Sequence, residues 1–274
     1  MWVTVASVKG SGVTSLAVAL AARCPMPGAI VVEADPAGGD LAFRFGHHRE
    51  PGLSELAADT RGGAGGRDLS AYTQRLPLGV DVVFAPADQQ VDDEDGPLRR
   101  DEPGQSVKVV RLVAANCLGL LRAAAADRLV VVDVGRLGWD SPALPLVAAA
   151  DVLLLVTRPW VDGIDAVQVR LDRILSLSGM RASVRLVLAG RPPCPAEEIA
   201  RVVGLPVAAV LPDDRRGAAV LAGRARPGWG WTRLELLRAA RALALSLHAE
   251  TTPAVRPRTA GAHARSVVAE VTRS

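Results

Sequence analysis

Aromatic residues are scarce in this chain of 274 residues, at three Phe, one Tyr and five Trp. Lysine is scarcer still: of 32 basic residues only Lys9 and Lys108 are lysines, an arginine bias that suggests a GC-rich genome. The cysteines are Cys24, Cys117 and Cys194, odd in number, far apart and without metal-ligand spacing. That excludes a disulfide framework or a zinc site and predicts free thiols in a reducing cytoplasm. No stretch of 18 residues is apolar and free of charge, so no transmembrane helix is expected. The N-terminus lacks the charged-then-apolar layout of a signal peptide, and its first apolar run reads as a strand. An excess of one charge is also missing. A net charge of +3 is too mild to argue for nucleic acid by itself. What remains is a chain 49% apolar, rich in Ala and Val, and long enough to bury a substantial core.

Short Val/Ile/Leu runs alternate with Ala-rich helical stretches, which predicts an α/β fold: a doubly wound, mostly parallel sheet with helices on both faces. Strands are expected over 2–8, 29–34, 80–85, 128–134, 151–157, 184–189 and 207–211. Helices are expected over 13–23, 53–59, 107–126, 142–149, 162–178, 196–203, 214–222 and 231–248. Two segments break the rhythm. Residues 87–106 are acidic and polar and read as a solvated loop. Residues 249–274 carry Thr, Pro and scattered Arg and read as a disordered tail, leaving 1–248 as one domain.

The first strand runs into "VASVKGSGVTSLAVALA", residues 4–20. A strand, a glycine loop and a helix start bind phosphate because loop N–H groups converge and the helix N-terminus adds positive potential. Here the pieces are Lys9, Gly10, Ser11 and Gly12, followed by Val13, Thr14 and Ser15. The GxxxxGK[ST] pattern fails twice, with Ser7 at its first glycine and Val13 at its lysine. Taken by itself the loop is no more than a glycine turn. Context strengthens it: "VVEADPAGGDLA" (31–42) places Glu33, Asp35 and Asp40 at the carboxyl edge of the second strand, and the apolar run of "RLVVVDVG" ends in Asp133. An aspartate closing an apolar strand is the arrangement that holds magnesium beside a phosphate loop.

With these motifs the chain resembles the MinD/ParA group of deviant-Walker P-loop ATPases, including its CpaE/TadZ-like members beside pilus systems. The resemblance rests on Lys9-Gly10-Ser11-Gly12-Val13-Thr14, Glu33-Ala34-Asp35-Pro36, Pro51-Gly52-Leu53-Ser54-Glu55-Leu56, Asp133-Val134-Gly135 and Val156-Thr157-Arg158-Pro159. It spans residues 1–248 and includes "GLPVAAVLPDD" (204–214). It implies a P-loop NTPase fold, ATP with Mg²⁺ as ligand, and a dimer. Lys9 matches the signature lysine that reaches the partner's nucleotide, and Thr14 the magnesium-binding threonine. Asp35 matches the aspartate that positions the attacking water, with Glu33 in the first acidic position, and Asp133 the strand-end aspartate. The nucleotide would be held by Lys9, Gly10, Ser11, Gly12, Val13, Thr14, Ser15 and Asp133, and the metal by Thr14, Asp35 and Asp133. Lys9 and Asp35 would be the catalytic pair. The chain departs from the family at Val13, where a second lysine contacts the β/γ-phosphates, and in "LVLAGRPP" (186–193), which has no asparagine to read adenine.

These readings predict a cytoplasmic, bacterial, regulatory or spatial-organising protein with a degenerate ATP site and weak or absent hydrolysis. An ATPase in which Lys9 serves both roles and a nucleotide-independent scaffold stay open, as do membrane-surface and non-specific DNA binding. Trp139 and Trp160 follow strands at the ligand edge and suit either a partner interface or lids over the core. Leu234, Leu237, Leu243 and Leu247 form one stripe of a last helix, read as packing rather than membrane attachment. His47 and His48 are expected to face solvent.

Overall fold

In the first strand alternate residues feed opposite sides: Trp2 and Ala6 enter one apolar core, Val3 and Val5 the other. Such a strand is stable only with both faces covered. The computed structural model describes residues 1–61, 68–87 and 103–251. In chain order these form β1 (Trp2–Ser7), α1 (Val13–Arg23), β2 (Ile30–Glu33), α2 (Leu41–Phe45) and α3 (Leu53–Thr60). A 3₁₀ turn (Leu69–Tyr72), β3 (Gln74–Arg75) and β4 (Asp81–Val83) follow, then α4 (Gln105–Asn116) and α5 (Leu118–Asp127). Next come β5 (Val130–Arg136), α6 (Leu144–Ala149), β6 (Val152–Thr157), α7 (Val161–Leu175) and β7 (Ser183–Ala189). The rest is α8 (Ala196–Val203), β8 (Val207–Leu211), α9 (Arg215–Leu221), a second 3₁₀ turn (Trp231–Arg233) and α10 (Glu235–Thr251).

The strands make one sheet of order β3-β4-β2-β5-β1-β6-β7-β8. Among the described residues only β3 runs antiparallel to its neighbour. From α1, Leu16 and Leu20 pack on one face with Leu237, Leu243 and Leu247 of α10. Leu53 and Leu56 of α3, Leu121 of α5 and Ile199 of α8 belong to the core on the other face. From β1 the chain leaves toward β2, and from β5 it crosses to β6. The carboxyl ends of β1 and β5 therefore sit centrally, where ligands of open α/β sheets bind.

The single helix expected over 107–126 is two, α4 and α5, meeting at 71°. Asn116 and Gly119 favour helix poorly on either side of Cys117, whose buried thiol packs 3.2 Å from the Thr60 hydroxyl. The last helix starts at Glu235, not 231, because residues 231–233 tighten into the 3₁₀ turn. It runs to Thr251, past the domain boundary expected at 248. The rest of the expected tail, and residues 88–102 of the acidic loop, lie outside the described residues. Besides the 3₁₀ turn at Leu69–Tyr72, two elements were not expected. The two-residue β3 is shorter than any readable alternation, and α2, five residues long, is set by a distant side chain. Both Glu33 oxygens are involved: Oε1 accepts from the N–H groups of Asp40 (2.9 Å) and Leu41 (3.1 Å), and Oε2 from that of Ala85 (3.1 Å).

Candidate functional site

The loop after β1 turns on two glycines in the left-handed region, Gly10 (φ 73°) and Gly12 (φ 79°), and Gly12 is the residue before α1. Side chains other than glycine are strained there. One donor of the loop is already used, since the Gly10 N–H donates to Ser7 Oγ at 2.8 Å. The hydroxyl at the first-glycine position thus sits against the loop's own backbone. Val13 opens α1 with its side chain 5% exposed in the apolar core that α1 shares with α10, so position 13 offers no cation. Thr14 and Ser15 follow, both half-buried. Lys9 is exposed and Ser11 half-buried, and Lys9 Nζ pairs with Asp162 Oδ2 at 3.2 Å, in the first turn of α7. The pair is open to solvent, and the lysine holds the Asp162 carboxyl below its usual range.

Asp133, inside β5, is fully buried. Its Oδ1 accepts from the Gly135 N–H at 2.9 Å, whereas its Oδ2 has no hydrogen-bond partner among the described residues. Burial pushes its pKa up from 3.8 to about 7. The nearby Thr14 hydroxyl and the Gly135 N–H oppose the rise, and the Glu33 and Asp35 charges add to it. Asp35 follows β2 and accepts from the Ala37 N–H at 2.9 Å. Its carboxyl is also raised, chiefly by burial. A Cβ on Gly135 would lie 1.8 Å from Asp35 Oδ2, so glycine there lets this carboxylate lie against the β5 backbone. Thr14, Asp35 and Asp133 are therefore brought together at the helix end of the loop. Glu33 is not part of that group. Its two oxygens serve three backbone N–H groups, and burial raises its pKa despite them.

The described residues hold no cluster of three His, Cys, Asp or Glu able to bind a metal. A divalent ion at Thr14, Asp35 and Asp133 would need phosphate oxygens to complete its shell, as magnesium commonly does. An uncompensated buried carboxylate oxygen beside a hydroxyl suits such a hard cation. The phosphate side is poorer, with no charge at position 13, Lys9 tied outward and one N–H spent on Ser7.

Sequence reasoning missed three features here. Asp162 is remote in sequence from Lys9, and no periodicity pairs them. Arg136 Nε donates to the Val8 carbonyl at 3.2 Å, at the entrance of the loop. A cleft of about 450 Å³ opens past β8, lined by Pro212, Asp213, Asp214, Arg215, Arg224 and Leu236 among others. Of the tryptophans at the ligand edge, Trp139 lies beneath the guanidinium groups of Arg170 (5.2 Å) and Arg173 (4.6 Å), and Trp160 stays 56% exposed. His47 is half-buried against the Phe84 ring at 5.5 Å, contrary to the expected solvent-facing position, whereas His48 is exposed.

No protein-family model and no curated protein matches the chain in sequence. Solved structures do match its shape. A ParA family ATPase from Chlorobium tepidum superposes with a TM-score of 0.65 at 17% identity, over 90% of this chain and 98% of that one. The MinC:MinD cell division complex of Aquifex aeolicus gives 0.64 at 14% identity, over 93% and 99%. The fold is that of the MinD and ParA ATPases. MinD from Pyrococcus horikoshii, solved with Mg-ADP, matches with a TM-score of 0.60 at 17% identity, over 90% of this chain and 96% of that MinD. The correspondence covers 90–93% of this chain and nearly all of each matched chain.

Proposed function

We propose that this chain is a MinD/ParA-type nucleotide-binding regulator or spatial organiser in a bacterium, with a deviant, degenerate ATP site and slow hydrolysis. The observation that carries the reading is Asp133 Oδ2, buried and without a hydrogen-bond partner among the described residues, on a carboxylate whose neighbours include the Thr14 hydroxyl and Asp35. Buried polar oxygens are nearly always paired, and an exception calls for a missing ligand. Magnesium arriving with nucleotide phosphates would supply the compensating charge and hold the phosphate oxygens. Asp35 would orient a water, Thr14 and Asp133 would hold the ion, and the loop residues 9–15 would wrap the phosphates. That a MinD of the same fold was solved with Mg-ADP supports this ligand class.

Val13 sets the rate. Losing a cation that stabilises phosphoryl charge removes several kcal/mol of transition-state stabilisation, which at about 1.4 kcal/mol per tenfold is a hundredfold or more. The molecule would therefore act through binding more than turnover. Its partner would be a second copy or another protein, docked at the edge bearing Lys9, Trp160 and Val161. Complex formation by MinD with MinC supports partner binding as a mode of action for the fold. A nucleotide-independent scaffold is the second reading, favoured by the burial of Val13 and the engagement of the Gly10 N–H by Ser7.

Calorimetric titration with a non-hydrolysable ATP analogue and Mg²⁺ separates the two. Micromolar binding that Asp133→Asn abolishes supports the nucleotide reading. Absence of heat and of any thermal shift at millimolar analogue would leave the scaffold.

A further inference from the structure

The site needs a positive charge that neither expected lysine delivers. Val13 is sealed in the core, and Lys9 is turned outward onto Asp162. The floor below the loop is acidic, with the Asp35 charge adding to the burial that raises the proton affinity of Asp133. A polyphosphate entering this crevice meets two carboxylates, so a cation on the same edge decides whether it stays.

Arg136 closes β5, one residue beyond the glycine against which Asp35 lies. It stands opposite Ser7 in the β1–β5 ladder, and the next N–H, of Leu137, donates to the Ser7 carbonyl at 2.8 Å. Its Nε donates to the Val8 carbonyl at 3.2 Å, so the guanidinium is fixed at the first turn of the glycine loop. Among the described residues its two terminal nitrogens have no hydrogen-bond or carboxylate partner, and the residue is exposed. An arginine anchored through one N–H and open at the other end presents the planar fork that matches phosphate oxygens.

We propose that Arg136 is the phosphate-binding cation of this site, holding the loop through Nε and receiving the terminal phosphate oxygens of a nucleoside triphosphate on its terminal nitrogens. The assignment rests on the nucleotide reading above. It replaces a charge from the start of α1 with one from the end of β5, beside the Ser7–Val8 stretch that leads into the loop. Because the guanidinium is anchored before ligand arrives, little side-chain freedom is lost on binding.

The test is calorimetric titration of the full chain with Mg-ATP analogue and with Mg-ADP, on the natural protein, Arg136→Gln and Arg136→Lys. Gln keeps a donor for the Val8 carbonyl but no charge. We expect Arg136→Gln to weaken the triphosphate by about tenfold to a hundredfold, to weaken the diphosphate less, and to leave the melting temperature unchanged. Arg136→Lys should recover part of the loss. Triphosphate affinity within twofold of the natural protein in Arg136→Gln overturns the assignment and leaves the nucleotide reading intact. So does an equal loss for both nucleotides, which would mark Arg136 as a staple for the loop only. If Arg136→Gln does not fold, Arg136→Met, which keeps the aliphatic stem, takes its place. Failure of the natural protein to bind either nucleotide overturns the nucleotide reading, and this assignment with it.

Discussion

A carboxylate without exposed surface is costly to ionise, and Asp133 shows what that cost does to the protein. Its pKa is 3.8 when free and about 7 in the fold. Between those values the folded state binds the extra proton, so this group makes stability fall as pH rises from about 4 to about 7. At about 1.4 kcal/mol per unit, the full penalty above pH 7 is roughly 4 kcal/mol. Asp133→Asn should therefore raise the melting temperature by several degrees at pH 8 in chelator, with the gain vanishing near pH 4. A gain independent of pH would mean the carboxylate is not its source. Gly39 makes a second residue-scale case. A Cβ there would stand 2.1 Å from the Glu33 carboxyl, so Gly39→Ala must displace the group that holds three backbone N–H groups. Urea unfolding should show a loss of about 2 kcal/mol or more. Asp35, Thr14 and Asp133 could be picked from the sequence because each stands near a strand end or a helix start, in a motif that resembles the family's. Asp162 and Arg136 could not, because their roles depend on which strands the sheet makes adjacent.

At the scale of elements, periodicity was the readable signal and it failed where another force set the boundary. The helices α1 and α8 run over the residues their apolar spacing predicts. The break between α4 and α5 falls between the poor helix formers Asn116 and Gly119, where the Cys117 thiol packs against Thr60, a contact no spacing encodes. The start of α9 and that of α10 are both fixed by one side chain. Asp214 Oδ1 accepts from the Gly217 N–H at 2.8 Å, and Oδ2 from the Leu236 N–H at 3.2 Å. Burial pushes its carboxyl up, but these N–H groups, with Arg216, outweigh it and hold the pKa below its usual value. Asp214→Ala should cost about 1–2 kcal/mol at neutral pH, and the difference should fade as the natural protein is acidified through that lowered pKa. The last helix spends its apolar stripe on the core: Leu237, Leu243 and Leu247 are each no more than 2% exposed. Leu243→Ala should therefore lose about 2–5 kcal/mol of stability in denaturant titration. A cost below 1 kcal/mol would return that stripe to the list of candidate docking surfaces.

At the scale of the molecule, the edge that carries the loop also carries two exposed apolar side chains, Trp160 at 56% and Val161 at 86%, while others such as Trp229 and Phe43 lie elsewhere. If association occurs there, Val161→Asp should abolish a nucleotide-dependent dimer in sedimentation velocity while leaving nucleotide affinity intact. A dimer unaffected by the change would place the contact elsewhere. The doubly wound architecture was plain from the alternation of apolar runs. Assembly was not, because it depends on which groups a finished surface exposes.

The Lys9–Asp162 pair has an optical consequence. Trp160 lies two residues before Asp162 at the start of α7, and its indole is open to solvent. When Lys9 leaves the aspartate, a positive charge departs from the neighbourhood of a fluorophore whose emission wavelength follows local field and hydration. With Trp2, Trp139, Trp229 and Trp231 replaced by Phe, Trp160 becomes a built-in reporter of whether the lysine is parked or released. A spectrum that shifts on adding nucleotide in this background, and does not shift once Lys9 is Ala, would time the release directly in a stopped-flow record. An emission band indifferent to both would show that the lysine stays on its aspartate throughout.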